Sequence, residues 1–406
     1  MKKILIPIAS RSETVKAAPI IKHLKEEYAQ QLATRWIHIG QNPDLVWQTG
    51  ALFGLTPNRQ ITTDHSEDDL HALSFEISRM VSDELDEQRP DLVLLQGDSL
   101  QAVLSAQQAF IRRIPIVHID AGRRANGSEI DYQRESNRRM LSALATFHCV
   151  ANADTANNLR SEGFPAYEIG ITGNPIVDAA QLVARTGLLE KSFAENINTD
   201  SLETARLLVV IQSPDTPRSR ISEFAFAIAA LAHNHPGLQF TIIAEHHQRG
   251  VKELTAVLGT LKQVRFVAPM QYLTFARAVK SHDLVLTDSS DIQYEVVALG
   301  TPALLMRPTT EGQPLLREQD GQRIGCTQKS ITQGIEDILK TPAQFSERRQ
   351  QPNPLGDGKA SARIGRLLAN WSRNNILTPR AFEPFSTGTS MPLRADGTPR
   401  RYHTSF

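Results

Sequence analysis

Cysteine is almost missing from this chain. Cys149 and Cys326 are the only two in 406 residues, too few for a disulfide framework and without the spacing of a metal site. Net charge is missing as well: 44 Lys and Arg balance 44 Asp and Glu, so no overall field invites nucleic acid or an anionic membrane surface. Long apolar runs are also lacking. The opening MKKILIPIASRSE sets two lysines before a short apolar stretch, but Arg11 and Glu13 end it well short of a membrane span, and no small-residue cleavage site follows. What is present, 40% hydrophobic and 22% charged residues, is the composition of an ordinary globular protein. The expectation is a soluble, cytoplasmic chain with neither nucleic acid nor membrane as partner. Its 406 residues exceed one ordinary core and suit two domains.

Short β-rich runs alternate with longer amphipathic ones. KILIPIA, RWIHIG, PDLVLLQGD, PIVHIDAG and FHCVAN are separated by helical segments such as Glu13 to Glu27 and Leu70 to Gln88. The pattern pauses near TGNP (Thr172 to Pro175), followed by a helical stretch from Ile176 to about Lys191. A second series begins with RLLVVIQ, LQFTIIAE, VRFVA, DLVLTDSS and TPALLMR. This predicts an α/β protein of two doubly wound, Rossmann-like domains facing across a cleft, with ligands beyond the carboxyl ends of the strands. The boundaries are 1–171 for the first domain and 172–358 for the second, with a helix over 359–372 packing back onto the first.

Loops that follow strand ends then become the candidate site: SRSE, QGDS, HIDAG, QSPD, AEHH and TDSSD. Singly, each is weak. Asp98 alone reads more readily as a helix cap before Ser99 and Leu100 than as a catalyst, and the pair His246 and His247 has no third ligand at metal spacing. The stretch HIDAGRRANGSEIDYQRESNRR (118–139) is crowded with opposed charges, which by itself reads as a salt-bridged surface loop.

Taken in order, these loops form a set. RSETVKAAP (Arg11 to Pro19), QGDS (Gln96 to Ser99), HIDAGRR, TGNPIVDA, TDSSDIQYE (Thr287 to Glu295) and NPLGDG (Asn353 to Gly358) match RPEAIKMAP, HGDT, HVEAGLR, TGNTVIDA, TDSGGIQEE and NPYGDG. The chain thus resembles the non-hydrolysing UDP-N-acetylglucosamine 2-epimerases from residue 2 to about 371. That resemblance implies the two-domain GT-B-like fold and a two-step reaction: elimination of UDP to a 2-acetamidoglucal, then re-addition to give the manno epimer. It implies a UDP-sugar as substrate, no metal and no other cofactor, and a homodimer.

The resemblance also distributes roles. Arg11, Lys16, His246, Ser289, Ser290 and Glu295 are expected to bind the UDP-sugar: the guanidinium on diphosphate oxygens, the serine turn at a helix N-terminus, the carboxylate on ribose hydroxyls. Asp98, Asp120, Arg134, Glu135 and Ser213 fall on catalytic positions. Of four usual catalytic side chains only Asp98 keeps its identity. Asp120 replaces a Glu, Arg134 another Glu and Ser213 a His, while Glu135 keeps the second Glu of its segment. Arg124, Arg134, His246 and His247 are candidates to stabilise a leaving diphosphate, and Asp120 or Asp131 to act as base. The family's two glycines are Ser290 and Asp291, the latter adding negative charge beside the expected diphosphate. QNPD (Gln41 to Asp44) departs from the family's QHRE, with Pro43 reading as the first residue of a helix that ends near Phe53.

Residues 376–406 mix Pro, Gly, Ser and Thr with isolated aromatics, the pattern of an irregular tail. Phe382, Phe385, Tyr402 and Phe406 would suit an arm docking on a neighbouring subunit. Three functions remain open: a UDP-sugar epimerase with a rebuilt site, a catalytically silent relative that binds a nucleotide sugar or a partner, and a GT-B glycosyltransferase.

Overall fold

The computed structural model describes residues 1–40, 43–64, 69–124, 132–186, 204–212, 218–244, 251–307, 321–340 and 353–386. Its first sheet is built from β1 (Lys2–Ile8), β2 (Leu32–Gly40), β3 (Arg59–Thr62), β4 (Leu92–Gln96), β5 (Ile116–Ala121), β6 (Phe147–Val150) and β7 (Ile169–Ile171). Helices α1 (Arg11–Glu27), α2 (Pro43–Leu52), α3 (Leu70–Gln88), α4 (Leu100–Ile111), α5 (Tyr132–Leu144) and α6 (Ala153–Ser161) connect these strands. After α7 (Pro175–Arg185) comes a second sheet of β8 (Arg206–Ile211), β9 (Gln239–Ala244), β10 (Val264–Val267), β11 (Leu284–Thr287), β12 (Ala303–Leu305) and β13 (Gly321–Arg323). Its helices are α8 (Arg218–Asn234), α9 (Val251–Leu258), α10 (Tyr272–Ser281), α11 (Ser290–Ala298) and α12 (Gln328–Leu339), and α13 (Ala360–Asn374) follows.

All strand pairs run parallel. The first sheet is ordered β3-β2-β1-β4-β5-β6-β7 and the second β10-β9-β8-β11-β12-β13, so the same winding occurs twice. In each sheet the order reverses beside its first strand, between β1 and β4 and between β8 and β11. Loops leaving those strands diverge and open a crevice at their carboxyl ends. Central strands such as LVLLQ of β4 and LVLT of β11 are buried throughout, as parallel strands covered on both faces require. All ten strand runs legible in the sequence form. The strands it did not reveal, β3, β7 and β13, have three or four residues each, and in β3 only Ile61 is buried. Such segments carry too little apolar pattern to be read.

Helix packing joins the halves. One apolar cluster includes Val15 and Ile20 of α1, Val177 of α7, Val297 of α11 and Leu367 of α13. The N-terminus of α13 is fastened by Asp178 of α7, whose carboxylate accepts the Ala360 and Ser361 amides at 3.2 and 2.8 Å. Gly365 lets α13 lie against α1, since a Cβ there would come within 2.8 Å of His23 and 2.9 Å of Tyr28. Further on, Lys2 reaches to 5.5 Å over the Trp371 ring.

The tail begins differently from the sequence expectation. Phe382 and Phe385 are buried against their own chain: the Phe385 amide donates to Ile171 at the end of β7, and Arg363 donates to the Glu383 carbonyl. Aromatics in an otherwise polar tail read as an arm for a neighbour, but the open edge of β7 lies within the same subunit and accepts them. Tyr402 and Phe406 lie outside the described residues.

Asp178→Ala removes the acceptor of two backbone amides at a buried helix start, and is expected to cost about 1–2 kcal/mol. Urea unfolding checks this, with Asp178→Asn recovering part of the loss.

Candidate active site

Residues from five loop and helix positions converge where the carboxyl ends of β1, β4 and β5 face the start of α11. Ser10 caps α1 by accepting the Glu13 amide at 3.2 Å, and this starts the helix so that Arg11 and Lys16 project from its first turns. Ser99 caps α4 through the Ala102 amide. Asp98 is therefore not the cap that sequence alone allowed, and its carboxylate is left for other partners. Arg134 and Arg138, one turn apart on α5, both take it: Arg134 Nη2 to Oδ1 at 2.7 Å and Arg138 Nε to Oδ2 at 2.6 Å. Asn137 of the same helix donates to the Asp98 carbonyl.

Asp120 is set by a backbone irregularity. Its φ is +62°, in the left-handed region, and the register of β5 on β6 shifts between Ile119 and Ala121. A residue other than glycine in that conformation costs on the order of 1–3 kcal/mol and needs its surroundings to hold it. Here Lys16 Nζ donates to Oδ2 at 2.9 Å, Arg123 Nη1 to the same oxygen at 3.2 Å, and Asn174 Nδ2 to Oδ1 at 3.0 Å. Gly122 permits the turn between Asp120 and Arg123. Its φ is +76°, and a Cβ there would come within 2.3 Å of the Thr155 carbonyl oxygen.

The second half contributes Ser289, Ser290, Asp291 and Glu295. Ser289 caps α11 and Asp291 lies in its first turn, where a negative charge is favoured. Arg134 Nη2 donates to Asp291 Oδ2 at 2.9 Å, and Lys16 and Arg123 each stand 3.7 Å from Oδ1. One turn on, Glu295 accepts from Arg11 Nη2 at 2.9 and 3.1 Å, while Arg11 Nη1 has no hydrogen-bond partner among the described residues. Tyr294 presents its ring to the same cations, 4.4 Å from Arg123 and 5.7 Å from Lys16.

Electrostatics sort these carboxyls. Burial alone would raise Asp98, but the Arg134, Arg138 and Arg123 guanidiniums outweigh it and hold the group well below the usual carboxylate range. Asp291 is likewise lowered, burial being overcome by Arg134, Lys16 and Arg123. For Lys16, the charges of Asp120 and Asp291 outweigh burial and raise its pKa, so it stays protonated. Glu295 goes the other way, raised by burial that Arg11 only partly offsets. Behind Asp98, Glu13 accepts the Ala9 amide at 2.7 Å. Burial pushes Glu13 up to about 7 against the Ala9 amide and Ser99 hydroxyl, with the Asp98 charge adding to the rise. Among the described residues no group of three or more His, Cys, Asp and Glu is placed to hold a metal.

The profile described as UDP-N-acetylglucosamine 2-epimerase matches residues 24–369, most of the chain. The chain belongs to the UDP-N-acetylglucosamine 2-epimerase family. A probable UDP-N-acetylglucosamine 2-epimerase of Ralstonia nicotianae is 28% identical over 375 residues, 91% of this chain and 99% of that protein. The crystal structure of UDP-GlcNAc 2-epimerase from Neisseria meningitidis bound to UDP-GlcNAc superposes with a TM-score of 0.83 at 25% identity, covering 91% of this chain and 100% of that one. Acinetobacter baumannii MurG, at 15% identity and a TM-score of 0.53, shares the fold alone.

Within this epimerase-family fold, Arg11, Lys16, Asp98, Asp120, Arg134, Ser289, Ser290 and Glu295 are brought together at the crevice. Glu135 lies at its margin, turned along α5 to Arg139 at 2.9 Å and Arg138 at 3.5 Å. Arg124 turns away to Glu162 and Ser142, so of two adjacent arginines it is Arg123 that faces the site. Ser213, His246, His247 and Asp131 lie outside the described residues. Sequence reasoning missed Arg123, Arg138, Asn174 and Glu13 as site residues. The spacing of Arg134 and Arg138 on one helix face was a usable signal for Arg138, and Asn174 stands within the TGNPIVDA segment.

No hydrogen-bonding pattern in the sequence marks Glu13, yet its burial has a measurable consequence. A carboxyl whose pKa is higher in the folded than in the unfolded chain favours the fold fully below the unfolded value of 4.5 and loses that contribution as pH rises to about 7. Across that window the wild type should lose stability relative to Glu13→Gln by up to about 3 kcal/mol. Urea midpoints for both proteins from pH 4.5 to 7.5 check it.

Proposed function

We propose that this chain is a UDP-sugar 2-epimerase, acting on UDP-N-acetylglucosamine or a close relative by eliminating UDP and adding it back. The observation that carries this reading is the convergence of Lys16, Arg123 and Arg134 on the first turn of α11, with Arg11 one turn on, in a fold of this family. Cations and a helix N-terminus together suit a diphosphate. In the elimination a base takes the proton from carbon 2 while the bond from carbon 1 to the diphosphate oxygen breaks. In the return step UDP attacks carbon 1 and the proton is delivered to the opposite face of carbon 2.

In this reading each residue takes a role. Asp98, with its proton affinity depressed, is assigned to hold Arg134 and Arg138 rather than to act as base. Asp120 is assigned the carbon 2 proton. Lys16, Arg123 and Arg134 face the charge that grows on the leaving diphosphate, which guanidiniums can stabilise but not protonate. Arg11 offers Nη1, which has no hydrogen-bond partner among the described residues, to the diphosphate, and Glu295 would exchange Arg11 for ribose hydroxyls. Ser289 and Ser290 supply the helix start, Glu135 positions Arg138, and Ser213 and His246 are assigned only from their sequence positions. The same reading takes residues 1–171 and 172–358 as the two domains and places a homodimer in the cytoplasm. Exposed Phe75, Phe110 and Ile111 on α3 and α4 support a subunit contact, which a monomer mass in sedimentation would contradict.

One observation favours a second reading, a nucleotide-sugar binder without turnover. Asp98 and Asp120 each have both oxygens engaged by cations or an amide, leaving neither directed at a substrate proton. NMR product analysis with UDP-N-acetylglucosamine in deuterated water separates the two. Epimerisation with deuterium at carbon 2, reduced on the order of a hundredfold or more in Asp120→Asn, is expected. UDP binding in calorimetry should weaken by about 1–3 kcal/mol in Glu295→Ala. Binding with no exchange at carbon 2 would give the second reading preference.

A further inference from the structure

Two departures from the family's sequence pattern change charge near the expected diphosphate: an Arg at 134 and an Asp at 291. They are partners. Arg134 belongs to the first half of the chain and Asp291 to the second, 157 positions apart, and they meet at 2.9 Å. Lys16 and Arg123, also from the first half, stand 3.7 Å from the other Asp291 oxygen. The Asp291 carboxylate thus lies at the start of α11 and against three cations, the two features that would draw a ligand phosphate to the same place. Among the described residues, Arg11, Lys16, Arg123, Arg134, Arg138 and Arg139 face Asp98, Asp120, Glu135, Asp291 and Glu295, six cations against five carboxylates. A diphosphate entering beside an undisturbed Asp291 would leave the cluster with an excess of negative charge.

We propose that Asp291 is a built-in counter-anion that competes with ligand phosphate for Lys16, Arg123 and Arg134, latches the two halves together, and so sets how much negative charge a ligand must bring to bind. The inference deepens the UDP-sugar reading and rests on it for the identity of the ligand, but not for the competition itself. A concentrated charge displaces the carboxylate and draws the cations to itself. An uncharged nucleoside neither displaces it nor feels its removal. The latch is therefore a selectivity device for the diphosphate part of the ligand.

Calorimetry on the full chain with inorganic pyrophosphate, UDP and uridine, for wild type, Asp291→Asn and Asp291→Glu, tests it. Asn keeps a polar residue in the first turn of α11, and Glu keeps the charge. Asp291→Asn is expected to bind pyrophosphate and UDP on the order of tenfold more tightly than wild type, with uridine unchanged and Asp291→Glu close to wild type. The gain should shrink as salt is raised. Equal pyrophosphate and UDP affinities in wild type and Asp291→Asn overturn the proposal while leaving the UDP-sugar reading intact. A gain for pyrophosphate, with UDP no better than pyrophosphate in any form, supports the counter-anion and removes the UDP-sugar reading. Failure of Asp291→Asn to bind pyrophosphate more tightly than wild type, with no form binding UDP, overturns both.

Discussion

Arg134 holds two carboxylates at once, Asp98 of its own half at 2.7 Å and Asp291 of the other at 2.9 Å. That shared guanidinium links the clamp on Asp98 to the cations gathered around Asp291. Arg138 completes the clamp on Asp98 from one turn along α5, which fixes the helix against the end of β4. Asp291 in turn gathers Lys16 and Arg123, and these are the cations that keep Asp120 in its left-handed conformation. The apolar packing of α1, α7, α11 and α13 brings these ends together, and the charged contacts link them across the two halves.

Burying charge in this way is costly unless the partners are well made. Taking an ion out of water carries a penalty of several kcal/mol, and a pair recovers it only with good geometry and further hydrogen bonds. Asp98 and Asp120 meet that condition through short contacts on both oxygens. Glu13 and Glu295 do not meet it fully, and both are raised by burial. A site in which cations hold Asp98 and Asp291 deprotonated while burial pushes Glu13 up to about 7 separates acid and base character on a single scaffold. In a fold of this family, such separation suits a reaction that removes a proton and returns it.

Much of the fold was legible because parallel, doubly covered strands are written as continuous apolar runs. KILIPIA, PDLVLLQGD and DLVLTDSS announce β1, β4 and β11 without any partner being known. Strands β3 and β13 were not legible, being short edge pieces whose pairing is supplied by a neighbour. In the site, Arg11, Lys16, Asp98 and Glu295 could be placed from motifs that follow strand ends. Which of Arg123 and Arg124 faces inward could not, since the turn at Gly122 decides it and depends on the close approach of Thr155. The pairing of Arg134 with Asp291 was equally hidden: each is a local departure from pattern, and only the fold makes them neighbours.

Arg134 and Asp291 couple the two halves of the chain. A double-mutant cycle on urea unfolding, with Arg134→Met, Asp291→Asn and the double variant, measures it most directly. A coupling energy of about 1 kcal/mol or more between Arg134 and Asp291 is the predicted result. Additive effects of the two substitutions, within a few tenths of a kcal/mol, would contradict it.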